Sequence, residues 1–129
     1  MQLLCNEFRG KIGQSSSREY GHSLINHNKK SVLFKNVKKT SQVWMSHGDH
    51  IKKEPNGFVV TSFSNKNVIS SIENKKKMIF GLQFHPEVYH SLDGKKILSN
   101  FLLNICKIST KFKLEDFLLN KIYEINYKL

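Results

Sequence analysis

Within the run GLQFHPEVYH, Gly81 to His90, a histidine and a glutamate stand two residues apart, His85 and Glu87, with Pro86 between them. Proline holds φ near about −65° and favours extended backbone locally, and in extended chain residues i and i+2 point to the same side. The imidazole and the carboxylate should therefore emerge together. A carboxylate beside an imidazole holds its tautomer and stabilises the imidazolium. The other ring nitrogen is then free to serve a nucleophile as base and a leaving group as acid. A bare H-P-E triplet is equally compatible with an ordinary surface pair at a strand end, so its surroundings carry the weight.

The remaining reactive side chains fit blander roles. Cys5 and Cys106 lie far apart with no C-x-x-C spacing, and both read as small buried hydrophobes. Among the six histidines, His47 and His50 are at i+3 and His85 and His90 at i+5. Neither pair has the i+4 helical spacing of a zinc protease, so no metal site is expected.

The elements that must hold the pair can be read outward from it. Met78 to Phe84 (MIFGLQF) is almost continuously apolar, which predicts a strand buried on both faces and ending at His85. Such a strand needs helices over the sheet. Asp93 to Cys106 supplies one, with Ile97, Leu98, Phe101, Leu102 and Ile105 on its stripe. Gly57 to Phe63 and Val68 to Ile72 flank the turn SNKN as a hairpin, and Gln42 to His47 is a strand running into a turn at H-G-D. Upstream, Gly10 to Ser23 reads as a short strand, a Ser-rich loop and a return, and His22 to Phe34 as two β-like pieces around NHNKK. Met1, Leu4, Cys5 and Phe8 have the spacing of a helix that begins at residue 1 and stops at Gly10. Lys113 to Leu129 is a second amphipathic helix, with Leu114, Phe117, Leu118, Ile122 and Ile125 as its stripe. No cap precedes the first helix or follows the last, so both ends are expected to be cuts in a longer domain.

A chain of 129 residues, 39% hydrophobic, is long and apolar enough for one core. Its net charge of +11 would by itself favour nucleic acid or an anionic membrane. The 21 cationic residues are, however, 19 Lys and only Arg9 and Arg18, and there is no Ala. Nucleic-acid readers rely on the planar fork of Arg, and the Lys runs here fall in predicted turns. Lys, Asn, Ile and Phe share A/T-rich codons, so the charge is attributed to genome composition and no specific nucleic-acid partner is expected. Unrelated proteins of the same genome that are Lys-poor and Ala-rich would overturn that attribution. No apolar run approaches the roughly 20 residues of a membrane span, and the N-terminus lacks a signal-peptide layout. A cytoplasmic location without membrane contact is the expectation.

GLQFHPEV resembles the G-x-Q-F-H-P-E signature of class I (triad-type) glutamine amidotransferases. VYHSLDGKKILSNFLLNIC after it, VWMSHGD (Val43 to Asp49), REYGH (Arg18 to His22) and the opening MQLL are similar to the glutaminase domain of glutamine-hydrolysing GMP synthase, in register over essentially the whole chain. The resemblance implies an α/β fold: part of the flavodoxin-like class I glutamine amidotransferase fold, a mixed sheet with flanking helices, truncated before the nucleophile elbow. Residues 1–108 would be the C-terminal part of that domain, and 109–129 a connecting helical segment toward an absent ATP pyrophosphatase domain. The resemblance further implies that His85 is the catalytic base and acid and Glu87 its orienting carboxylate. Gln2, with the turn Ser46, His47, Gly48 and Asp49, would line the pocket for the substrate glutamine. The turn suits this: backbone N–H groups, a carboxylate for a substrate ammonium, and a glycine that permits close approach. Asp49 alone is equally an ordinary turn former.

In that family the nucleophile is a cysteine in G-x-C-x-G directly before M-Q, so the resemblance places it ahead of Met1. Cys5 and Cys106, on apolar stripes, do not replace it. Hydrolysis through a glutamyl thioester needs that thiolate, so the chain alone is expected to be nearly inactive and marginally stable, with an open sheet edge and an uncovered first helix. The full reaction implied is amination of XMP to GMP, with ATP and Mg bound in a partner synthetase, either a domain or a separate chain. No Ser-Gly-Gly phosphate loop occurs in this sequence, so the chain itself should hold no cofactor. Two further readings are the glutaminase part of another class I amidotransferase, as for anthranilate or carbamoyl phosphate, and a non-catalytic split or decayed remnant docking on a synthetase.

Overall fold

A computed structural model describes residues 1–28, 30–109 and 114–126, apart from the side chains at 15–17, 114–117, 120 and 125. The elements are α1 (Gln2–Glu7), β1 (Lys11–His27), a 3-10 turn (Val32–Phe34), β2 (Thr40–Lys53), β3 (Val59–Ser64), β4 (Ile69–Asn74), β5 (Ile79–Leu82), α2 (Gly94–Ser99) running into a π-helix (Asn100–Ile105), and α3 (Leu114–Asn126). The five strands form one sheet in the order β2-β1-β3-β4-β5, and each of its pairings is antiparallel.

Strict alternation builds the two long strands. In β1, Glu19, Ser23, Ile25 and His27 turn inward while Arg18, Tyr20, His22 and Leu24 stay more exposed. In β2, Val43, Met45 and His47 are buried between the more exposed Trp44, Ser46 and Gly48. The inward residues of both strands join Leu33, Phe34, Val37, Phe84, Ile97 and Ile105 in the larger apolar cluster. Each such side chain withdrawn from water contributes about 1.5–3 kcal/mol, which fixes which face of β1 and β2 is inside and therefore which is free for a site. A second cluster, Cys5, Ile51, Phe58, Ile69 and Ile72, seats α1 through Met1 and Phe8.

Several expectations change. Gly10 to Ser23 and His22 onward do not break into short pieces: β1 is one strand of 17 residues, because β2 pairs with it along its length and takes up the Ser-rich stretch as a bulge. No turn forms at H-G-D, since β2 continues through it to Lys53, paired as Gln14 with Asp49 and Gly13 with His50. The strand buried throughout is not Met78 to Phe84. It is β4, ISSIEN, whose hydroxyls pair inside the sheet: Thr61 with Ser71 at 2.6 Å and Ser62 with Ser70 at 2.7 Å. β5 is half-buried because it ends the sheet order, and Met78 is 55% exposed in a left-handed conformation. The β3–β4 hairpin forms as expected, with Ser64 accepting from Asn67 N at 2.9 Å and donating to Val68 O at 2.8 Å through its N–H.

Helix α1 follows the predicted spacing, but its left-handed stop is Arg9 and not Gly10. Gly10 is required by close approach instead: a Cβ there would overlap the Cys5 sulfur and lie 2.9 Å from Lys53 O. The predicted Asp93–Cys106 helix is present with a changed face. The π turn from Asn100 widens the helical step, so Asn100 swings inward and its amide donates to Leu33 O at 3.0 Å and Lys35 O at 2.8 Å. Leu102 and Leu103 turn out to solvent, and Cys106, expected on the inner face, is exposed. On α3, Leu118 and Ile122 are exposed, and the other stripe residues expected there lie outside the described side chains. No described helix is long and apolar enough to cross a membrane.

Candidate active site

The sheet curls until the chain leaving β5 meets the free edge of β2. Gln83 N still donates to Ser70 O at 2.9 Å, and two residues later His85 N donates to Trp44 O at 3.0 Å. That bridge sets His85 beside Trp44, which is itself opposite His22. All three thus lie abreast on the outer face. Ser91 locks the junction: its hydroxyl accepts from Trp44 N at 3.0 Å and donates to His85 O at 2.5 Å. The loop behind it is sewn to β2 by Leu92 N to Gln42 O at 3.1 Å and Ser41 Oγ to Asp93 Oδ2 at 2.7 Å.

His85 Nδ1 meets Glu87 Oε1 at 2.8 Å, as the i, i+2 spacing predicts. A hydrogen bond from its own backbone N–H, and then the one from His85, hold the Glu87 carboxyl below the usual value. The anion so maintained accepts Nδ1–H, which leaves Nε2 with its lone pair. The side chains are 43% and 59% exposed, so the free nitrogen is open to a substrate.

Gln2 and Asp49 come together although 47 residues separate them: Gln2 Nε2 donates to Asp49 O at 3.0 Å. Gln83 Nε2 reaches the same carbonyl at 3.3 Å. Gln83 was not among the residues expected at the site, although its i, i+2 relation to His85 in extended chain was a usable signal. Ser91 and Trp44 had no such signal, because their roles come from a bridge between distant segments.

Beneath this stretch of β2 lies a buried polar group. Glu19 Oε2 and His47 Nε2 stand 3.2 Å apart, with side chains 2% and 5% exposed, and Ser23 Oγ donates to Glu19 Oε1 at 3.4 Å. The contact is close but not aligned as a hydrogen bond, and His47 Nδ1 and His50 Nδ1 are also buried without partners. His47 therefore faces inward as a brace for the strand, and not toward the glutamine pocket where the sequence motif placed it. Glu19→Ala should lower stability by about 1–3 kcal/mol in a urea melt by stranding His47, and adding His47→Leu should recover part of the loss. A loss that the second substitution deepens would refute the pairing.

Burial, then the charges of Lys52 and His47, hold the His50 imidazole below its ordinary value. The unfolded chain then binds the extra proton more readily, so stability is whole above about 6.5 and declines as pH falls from there through the lower folded value. His50→Gln should flatten the urea midpoint between pH 7 and pH 5. An unchanged slope would exclude His50 as the source.

Neither cysteine is placed as a nucleophile. Cys5 is fully buried, its sulfur 3.8 Å from Lys53 O, and burial pushes its thiol up, away from the reactive thiolate. Cys106 lies beyond the π-helix, remote in the chain from His85. Among the described residues no three His, Cys, Asp or Glu side chains converge as a metal ion requires.

The chain matches the glutamine amidotransferase class-I family over residues 1–105. It belongs to that family, and the His85–Glu87 pair lies within the matched part. Among its relatives is a glutamine-hydrolysing GMP synthase of Petrotoga mobilis, 45% identical over 97% of this chain and 25% of its own length. That of Aquifex aeolicus is 38% identical over 97% of the chain and 24% of its length. In structure, a GMP synthase glutaminase-type protein of Thermoplasma acidophilum superposes with a TM-score of 0.76 at 26% identity, over 82% of this chain and 53% of that one. A Thermotoga maritima glutamine amidotransferase shares the fold, with a TM-score of 0.61 at 21% identity over 89% and 50%. The chain spans about a quarter of the length of the curated GMP synthases it matches.

Proposed function

We propose that this chain carries the acid–base part of a glutamine-hydrolysing site that supplies ammonia for the amination of XMP to GMP. The 2.8 Å contact between His85 Nδ1 and Glu87, with Nε2 left open, carries this reading. His85 Nε2 takes the proton of a cysteine thiol, and the thiolate attacks the amide carbon of glutamine. His85 then returns the proton to the departing nitrogen, ammonia leaves, and water releases glutamate from the thioester. Glu87 holds the imidazole tautomer and steadies the imidazolium. Gln2 and Asp49, tied through the Asp49 carbonyl, set one wall of the glutamine pocket with Ser46 and Gly48.

The thiol and the oxyanion donors are assigned to residues outside these 129, in keeping with relatives about four times as long. Residues 1–108 then belong to the amidotransferase domain and 109–129 to a segment leading toward an ATP pyrophosphatase partner. ATP and Mg belong to that partner, since the described residues offer no converging carboxylates for the ion. The test is a chimera in which this chain replaces the aligned segment of the Petrotoga mobilis GMP synthase. Glutamine-supported GMP formation is expected. A chimera that uses added ammonia but not glutamine would overturn the proposal.

A further inference from the structure

We propose that Arg18 is the anchor for the carboxylate of an α-amino-acid head group, held opposite an ammonium anchor at Asp49 with Gly48 as the floor between them. The proposal rests on the reading above that the substrate is glutamine, and it adds the residue that recognises the end of glutamine remote from the reaction.

The register of β1 on β2 supplies the geometry. Glu19 pairs with His47 and Gln14 with Asp49, so residues 15–18 of β1 stand opposite the single residue Gly48. A bulge of that size pulls β1 away from β2 and re-aims the residues at its rim. It opens a cavity of about 290 Å³ lined by Gln14, Arg18, Tyr20, Gly48 and Asp49. Lys66 Nζ holds the rim by donating to Arg18 O at 3.4 Å. A Cβ built on Gly48 would lie 3.9 Å from both Arg18 Nε and Tyr20 Oη, so glycine leaves its backbone bare to whatever those groups hold.

Charge gives the cavity its chemistry. A guanidinium and a carboxylate line it together, yet neither makes an ion pair, with the other or elsewhere, among the described residues. Two opposite charges held apart across a small cavity match a zwitterion in which carboxylate and ammonium leave the same carbon. Arg suits the first because its planar fork grips a carboxylate with two parallel hydrogen bonds, which Lys cannot do. The Tyr20 hydroxyl adds a neutral donor on the same face. Position also fits. Arg18, Tyr20, Trp44, Gly48 and His85 share the outer face, and Gly48 lies four residues along β2 from the Trp44–His85 bridge, about 13 Å at roughly 3.3 Å per residue. The side chains of His85 and Arg18 reaching inward leave a gap for an extended glutamine.

The test is titration of the full, 15N-labelled chain with L-glutamine, followed by amide NMR. Saturable shifts are expected at Tyr20, Gly48 and Asp49. Glutaramate, which lacks the ammonium, and 4-aminobutanamide, which lacks the carboxylate, should each bind more weakly. Arg18→Gln should weaken glutamine by roughly tenfold or more while leaving 4-aminobutanamide unchanged, and Arg18→Lys should restore only part. Absence of saturable shifts, or an Arg18→Gln affinity equal to the parent's, would overturn the proposal. If glutamine binds through Arg18 while the chimera makes no ammonia from it, the hydrolytic reading fails and this one stands. If the chimera hydrolyses glutamine with Arg18→Gln unaffected in KM, only the Arg18 assignment falls.

Discussion

His85→Asn in the chimera lowers glutamine-supported GMP formation by about 10,000-fold and leaves ammonia-supported formation at its parent rate. The size of the effect follows from one nitrogen serving twice. Nε2 generates the thiolate and then protonates the leaving ammonia, and an amide side chain does neither near neutral pH. Ammonia added from outside bypasses both steps, so the second rate separates loss of chemistry from loss of folding. Glu87→Gln is gentler, by roughly ten- to a hundredfold, because the amide oxygen still accepts from Nδ1–H and only the charge that steadies the imidazolium is gone. That charge is 59% exposed and screened by water, which limits its weight. Equal losses for the two variants would contradict this division of roles. So would a His85→Asn variant that still turned glutamine over within tenfold of the parent.

Gly94→Ala is the substitution expected to damage the fold most per atom added. A Cβ at Gly94 would overlap the carbonyl oxygen of Pro86 and come within 2.9 Å of its carbonyl carbon, both backbone atoms of the segment that presents His85 and Glu87. A side-chain neighbour could rotate away. Here the loop is pinned on both sides, by Gly94 N to Ser91 O at 2.8 Å and by His85 N to Trp44 O at 3.0 Å, so the clash has nowhere to go without breaking one of them. The expected cost is about 3 kcal/mol, read as a fall in urea midpoint at constant slope. The His85 imidazole resonances should move with it, because the segment that shifts is the one that places Glu87. Lys95→Ala, next in sequence and exposed, should stay within about 0.5 kcal/mol of the parent. If the two variants melt alike, the tight packing of Gly94 on Pro86 is wrong.

The parts of this protein that depend on neighbours in the chain could be read in advance. The spacing of His85, Pro86 and Glu87 settles which way two side chains point, and the 2.8 Å contact is the result. The α1 spacing, the SNKN hairpin and the helix after Asp93 are likewise short-range, and each is present. The errors share a cause. Nothing local in Gln14 to Tyr20 says that the segment stays in one strand, because the pairing that keeps it there comes from β2, about thirty residues on. Nothing local marks ISSIEN as the most buried strand, because its serines become tolerable inside only when hydroxyls of β3 meet them.

Residue types and short-range periodicity therefore determine the chemistry on offer: an imidazole with its carboxylate, and the family to which the chain belongs. The curl of the sheet decides what that chemistry faces. It carries His85 from the end of β5 to the edge of β2, ties Gln2 to Asp49, turns His47 inward to Glu19, and leaves Gly48 bare opposite the bulge. Those contacts join residues more than twenty positions apart. They are selected by the burial of the cluster beneath β1 and β2, a property of the whole sheet that no single segment possesses.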